Sequence, residues 1–192
     1  MKKIMFNDKY GLTQAVLEGR KTQTRRTMPT HIETRLRHLR VLAPSNWTKD
    51  WSDSALSKFG ETMSPYKTGD IVAIAQSYKD CGTEASFWKQ TPGWTNKMFV
   101  KANLMPHHIK IERVRVERLQ DISEEDCLKE GIYEDGGNDS FIPHYFYDYY
   151  NSNSDGFKTP QLAYAHLIGE IGGKGTWEAN PLVFAYDFAL ID

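Results

Sequence analysis

The sequence predicts an α+β fold, a mixed β-barrel with short helices packed on it. Three features predict it. The C-terminal run alternates, with Leu182, Phe184, Tyr186, Phe188 and Leu190 on one parity and Val183, Ala185 and Ala189 between them. That pattern marks a strand at least partly covered on both faces. A second alternating run, Ile109, Ile111, then Val114, Val116, slips phase at Glu112-Arg113. A slip within one strand predicts a β-bulge, which barrels use to turn corners. The helical stretches between such strands are short, which disfavours a helical bundle.

The elements follow in order. Thr13 is placed to cap a first helix, with Leu12 and Leu17 at staple positions and Val16 one turn after Leu12. Gly19 stands where a C′ residue accepts positive φ at no steric cost. The chain then leaves extended. On a flat strand Thr22, Thr24 and Arg26 share one face, and Gln23 and Arg25 the other. Lys21 has the wrong parity to join Thr24 there, so a Lys21–Thr24 pair requires Lys21 to sit in the turn. Ile71 to Ala75 reads as a short buried strand, and Ile109 to Leu119 as a central one. Ser123 caps a helix whose first turn holds Glu124, Glu125 and Asp126, with Ile122 and Cys127 as its staple and Gly131 as its stop. Thr159-Pro160 starts a helix carrying Tyr164, Leu167, Ile168 and Ile171. The glycine-rich stretch from Gly172 to Gly175 reads as a turn before a final strand that begins at Trp177.

The 192 residues make one domain, 1–192, with insertions at about 44–65 and 135–160. The second insertion carries an aromatic run from Phe141 to Tyr150. Such density suits base stacking, but more often it covers a core edge with the Tyr hydroxyls in water. A net charge of −1 gives no global pull toward nucleic acid or an anionic membrane. The distribution is uneven: Glu33 is the only acid between Arg20 and Arg40, and acids dominate from Glu117 to Asp139. Two explanations fit: a patch for a compact anionic ligand or a short single strand, or a basic face answered by the acidic half. Cys81 and Cys127 form no C-x-x-C, which points to a reduced, cytoplasmic protein. The N-terminus lacks the apolar run of a signal peptide, and no stretch is long enough to span a membrane.

The most informative stretch is Leu17 to Arg26, which sets Arg20, Lys21, Arg25 and Arg26 beside Thr22 and Thr24 just after a helix stop. Like charges give Lys21 a reason to lose its proton, and a neutral Lys near a Thr hydroxyl is a base–nucleophile pair. The same residues also suit a phosphate-binding turn, Lys as point charge and Thr as donor. Glu130 is the second candidate. It sits at the end of its helix, where the dipole disfavours an acid, and a local rule broken without visible gain marks either function or an unseen partner.

This decapeptide resembles the signature of the ASCH domain, a small barrel related to the PUA fold. Other pieces agree in order. Tyr66 to Val72 looks like the family's turn-and-strand element around Gly69-Asp70. Met105-Pro106 and the strand after it look like its centre. Arg115 to Ile122 with Glu130-Gly131-Ile132 is similar to a segment of phage and prophage members, and Trp177 to Pro181 resembles their C-terminal end. The sequence departs from that pattern at Ala75-Gln76 and at His107-His108. Some ASCH proteins are amidohydrolases that remove an acyl group from N4-acylcytidine. The resemblance implies Lys21, Thr24 and Glu130 as the catalytic set; Arg20, Arg25, Arg26, Gln76 and His107 are expected to bind the ligand in the same cleft. It implies a nucleotide, a modified nucleoside or single-stranded RNA as partner, with no membrane. The alternatives are a non-catalytic RNA or nucleotide binder, and a protein-interaction module using Tyr145 and Tyr149.

No cofactor or metal is expected. His107 and His108 are adjacent on a strand and point apart, with no third ligand at a sensible spacing. The run Gly172-Gly173-Lys174-Gly175-Thr176 lacks the first glycine of a P-loop, since Ile168 stands there, and it follows a helix.

Overall fold

The computed structural model describes residues 1–42, 53–82, 87–135, 144–147 and 156–192. In chain order the elements are β1 (Lys2–Ile4), α1 (Leu12–Leu17), β2 (Gln23–Thr27), α2 (Thr30–Leu42), α3 (Asp53–Met63) and β3 (Ile71–Ile74). A series of 3-10 turns between Trp88 and Leu104 leads to β4 (His108–Arg118). Then come α4 (Glu124–Lys129), β5 (Tyr133–Asp135), β6 (His144–Phe146), α5 (Pro160–Gly172), α6 (Thr176–Ala179) and β7 (Leu182–Leu190).

Five strands form one mixed sheet in the order β1-β3-β4-β7-β2, and β5 pairs with β6 apart from it. Only β1 and β3 run parallel; the other ladders of the large sheet are antiparallel. The alternating C-terminal run is β7, an interior strand hydrogen-bonded to β4 on one side and β2 on the other. Its edges are both paired, and Val183, Phe184, Ala185 and Tyr186 are buried in succession, so both of its faces are covered there. The β4–β7 register shifts between Ile111 and Arg113, the bulge that the phase slip predicts. A ladder between the edge strands β1 and β2 is not among those the described residues form. The Arg26 side chain reaches across that gap and donates to the Met5 carbonyl oxygen.

The main core joins the sheet to α5, and a smaller one lies under Ala73 and Ala75 of the β3 segment. Phe184 and Tyr186 of β7, Val114 and Val116 of β4, and Tyr164 and Leu167 of α5 meet in the main core, all buried. The helix α3 falls inside the expected insertion at 44–65 and packs on β4. A Cβ on Gly60 would lie 3.0 Å from Val116 Cγ2, so glycine is what lets helix and strand approach. In the second insertion, Tyr145 and Tyr147 are half-buried and pack against the core, as the covering role requires. Tyr149 and most of the run 141–150 lie outside the described residues.

Two local expectations are corrected. Gly11, in the left-handed region at φ 64, takes the N-cap place of α1 instead of Thr13. The Thr13 hydroxyl donates to Asp8 Oδ1 instead. Trp177 is not in a strand but in α6, which ends at Asn180 with φ 44. The helix α2 was not legible beforehand, because its basic residues mask a short apolar stripe in which Ile32 and Leu36 are buried. Cys81 and Cys127 are both free thiols. Among the described residues, no helix is long and apolar enough to cross a membrane.

Candidate functional site

The turn after α1 brings Lys21 to Glu130. Glu18 caps the helix, Gly19 takes the left-handed conformation at φ 73, and the backbone folds back so that Lys21 N donates to Ala15 O at 2.9 Å. Lys21 therefore precedes β2, the position a Lys21–Thr24 pairing requires. On the other side, Ser123 caps α4 by accepting from Asp126 N, and Glu130 is the C-cap residue. Thr22 N donates to Lys129 O at 2.9 Å and stitches the two turns together.

The contact itself is short and buried. Lys21 Nζ lies 2.6 Å from Glu130 Oε2 and 2.6 Å from the Glu130 carbonyl oxygen. The Lys21 and Glu130 side chains are only 2% and 5% exposed. Arg25 Nη1 reaches the other Glu130 oxygen, Oε1, at 3.1 Å, and the Tyr164 hydroxyl stands 3.5 Å from it. The acid that the helix dipole disfavours is thus held by two cations. Burial is the main cause that pulls the Lys21 amine below its ordinary value. Glu130 opposes that shift, and the like charges of Arg26 and Arg25 add to it only in smaller measure. The sequence argument from like charge alone therefore named a secondary cause. Burial also pushes the Tyr164 hydroxyl well above the usual range, so it stays protonated and able to donate.

Arg25 is a hub, not a free ligand-binding group. It bonds Glu117 through Nε, Asp126 through Nη2, and both Gln23 and Glu130 through Nη1. Burial works against its charge, but Glu130 and Glu117 outweigh burial and hold its pKa above the ordinary value. The register explains how it fits. Arg25 of β2 and Arg115 of β4 both pair with Ala185 of β7, whose small side chain leaves room between them. Asp126 of α4 accepts from both arginines. In this part of the chain the acidic half does answer the basic half.

Lys21, Thr24, Arg25, Arg26 and Glu130 line one cleft of about 490 Å³. Its walls include Phe6, Leu12 and Tyr164, with Leu167, Ile168 and Ile171 from α5. Phe6 lies between two cations, its ring centre 5.9 Å from Lys21 Nζ and 5.7 Å from Arg26 Cζ. Thr24 sits on the core-side parity of β2, opposite Tyr186, and is 4% exposed. Among the described residues no side chain bonds its hydroxyl. The cleft thus combines an apolar wall, an unengaged hydroxyl and a buried, strongly coupled amine–carboxylate pair.

The other candidates fall elsewhere. Arg20 is half-exposed and pairs with Glu18 at 2.6 Å, outside the cleft. Gln76 and His107 line a second cleft of about 600 Å³, which meets the first only at Asp8. Gln76 is buried there with Oε1 unpartnered, and His107 Nδ1 lies 3.2 Å from Asp192 O. No group of described residues is arranged to hold a metal ion. Tyr164, Phe6 and Lys97 line the first cleft and were not foreseen. Tyr164 was legible only as a helix core position, and nothing local marks Phe6 or Lys97.

The chain matches no protein-family model, no curated protein and no solved structure. What fold and site define is a mixed α+β protein with a buried Lys–Glu–Arg cluster beside a threonine in an apolar-walled cleft.

Proposed function

We propose that the protein is an amidohydrolase of the PUA-like, ASCH type, removing an acyl group from the exocyclic nitrogen of a cytosine nucleoside. One observation carries the reading. Lys21 and Glu130, far apart in sequence, form a buried pair at 2.6 Å in the same cleft as an unengaged Thr24 hydroxyl. Buried titratable groups with opposed influences are characteristic of sites that move protons. The resemblance of Leu17–Arg26 to the ASCH signature supports the substrate class, and the apolar wall with Phe6 suits a planar base. The free thiols support a cytoplasmic setting.

The step runs as follows. Lys21, in the neutral form that burial favours, takes the proton of Thr24 Oγ1. That oxygen bonds to the amide carbonyl carbon. The C–N bond breaks, and the nitrogen leaves as the amine after receiving the proton from Lys21. Water then cleaves the Thr24 ester, releasing the carboxylic acid and restoring the hydroxyl. This is Ser–Lys logic with threonine as nucleophile. Arg26 and Phe6 hold the base; Arg25 positions Glu130.

The test is release of acetate from N4-acetylcytidine by the purified protein. Lys21→Ala, Thr24→Ala and Glu130→Gln each abolish release while circular dichroism shows them folded. Absence of release from folded wild type overturns the reading. A salt-sensitive nucleotide affinity without turnover would then identify a binding module.

A further inference from the structure

We infer that the surface built by residues 87–104 is a platform for a single-stranded polynucleotide, so that the cleft serves a base carried on a strand. The inference rests on the cytosine-directed reading of the cleft and extends it to the substrate's chain.

The argument begins with composition in place. From Phe87 to Ile111 there is no acidic residue, while Lys89, Lys97, Lys101 and Lys110 all fall in that run. The same segment holds the densest set of exposed apolar side chains among the described residues. Phe87 is 69% exposed, Met98 64%, Phe99 62% and Leu104 45%. An exposed apolar cluster of this kind calls for a partner. A partner that also tolerates unanswered lysines must be anionic. Lys79, Lys89 and Lys101 are exposed, and none forms an ion pair among the described residues. Rings with free cations around them fit single-stranded nucleic acid, where bases stack and phosphates meet lysines. A duplex, with its bases already stacked, offers the rings nothing.

The platform is packed against the fold rather than standing free of it. Its 3-10 turns sit on a small core of Ala73, Ala75, Tyr78, Val100 and Met105. Trp88 packs on Tyr78 with ring centres 4.2 Å apart, Phe87 meets Trp88 edge-on, and Lys89 lies over Trp94. A Cβ on Gly93 would come within 2.5 Å of the Tyr78 ring, so the close approach is built into the sequence. The platform also adjoins the cleft. Lys97 is a cleft-lining residue whose Nζ donates to Phe6 O at 2.6 Å and Asp8 Oδ2 at 2.7 Å. Lys3 Nζ holds the next turn by donating to Lys97, Met98 and Val100 carbonyl oxygens. Met98 and Phe99 directly follow the residue that forms the cleft's edge.

The experiment uses the full chain and a fluorescein-labelled, mixed-sequence single-stranded RNA of about twelve nucleotides, within the usual site size. Anisotropy is followed against salt, with DNA of the same sequence and an RNA duplex of the same length as separate arms. Phe87→Ala and Phe99→Ala each weaken binding roughly 5- to 100-fold, the effect of one lost stacking contact. Lys89→Gln with Lys101→Gln lowers the slope of log K against log salt by about 0.7 per lysine. All three variants leave acetate release from free N4-acetylcytidine unchanged, since none of the four positions lines the cleft. Equal affinity for the duplex, or single-strand affinity that these variants leave unaltered, overturns the platform. So does a wild type that ignores the RNA but self-associates in sedimentation through Phe99. Strand binding that depends on Phe87 and Phe99, without any hydrolysis of the nucleoside, keeps the platform and overturns the catalytic reading instead.

Discussion

Removing the Glu130 carboxylate is the sharpest test of how this site is held. In Glu130→Ala, Lys21 keeps the main-chain oxygen at 2.6 Å but loses Oε2. It remains 2% exposed, with no anion to answer its charge. Breaking a buried pair from one side costs about 3–5 kcal/mol. Arg25 keeps Glu117 and Asp126, which places the loss at the lower end, about 3 kcal/mol. For a chain of this length that is a Tm lower by roughly 6–12 °C. The pH dependence has a definite sign. With Glu130 gone, the Lys21 amine drops further below its ordinary value of 10.5, because the carboxylate was what opposed burial. The unfolded chain then binds the proton more tightly than the folded one. Stability of the variant therefore rises with pH between the lowered value and 10.5, and its deficit against wild type shrinks there. Urea titrations of both proteins across the alkaline range measure it. Adding Lys21→Met to Glu130→Ala should recover part of the loss, since the unanswered charge goes too. A Tm within about 2 °C of wild type, or a deficit that grows with pH, would refute the buried pair.

Other outcomes follow from the same structure. Ser123→Ala removes the cap that accepts from Asp126 N and should cost about 1 kcal/mol in urea unfolding. Because α4 carries Glu130, the same variant should also slow acetate release. Gly93→Ala forces the Tyr78 ring aside and should destabilise by about 1–3 kcal/mol, with a changed Trp88 emission spectrum. The Cys127 thiol is buried and pushed up to about 12, mainly by that burial. In a Cys81→Ser background, an aromatic disulfide reagent at mildly alkaline pH should therefore react only after denaturant is added. Prompt reaction in the native protein would contradict the packing of α4.

How far the chain could be read from its letters depends on the range of the interaction. The alternation in β7, the phase slip in β4, the Ser123 cap and the stops at Gly19 and Gly131 are local, and each appears in place. Thr13 misled because the helix begins earlier, with Gly11 at the N-cap, so that Thr13 falls inside the first turn and its hydroxyl donates to Asp8 instead. Trp177 misled because a glycine-rich turn precedes helices and strands alike. Arg25 looked like a ligand group because its carboxylate partners lie 92 to 105 residues away.

The sequence by itself determined β4, β7, α4 and α5, the bulge, the turn that frees Lys21 from the strand, and the imbalance of charge between Arg20–Arg40 and Glu117–Asp139. These rest on backbone sterics and side-chain period, which act within a few residues. Only the tertiary structure decided which charges cancel. It buried Arg25 among Glu117, Asp126 and Glu130, and it set Lys21 against Glu130. It also separated Gln76 and His107 from the cleft and left Lys79, Lys89 and Lys101 without an ion-pair partner among the described residues. The reason is physical: an ion pair is settled by distance and burial, and both arise only when β2, β4, β7 and α4 come together.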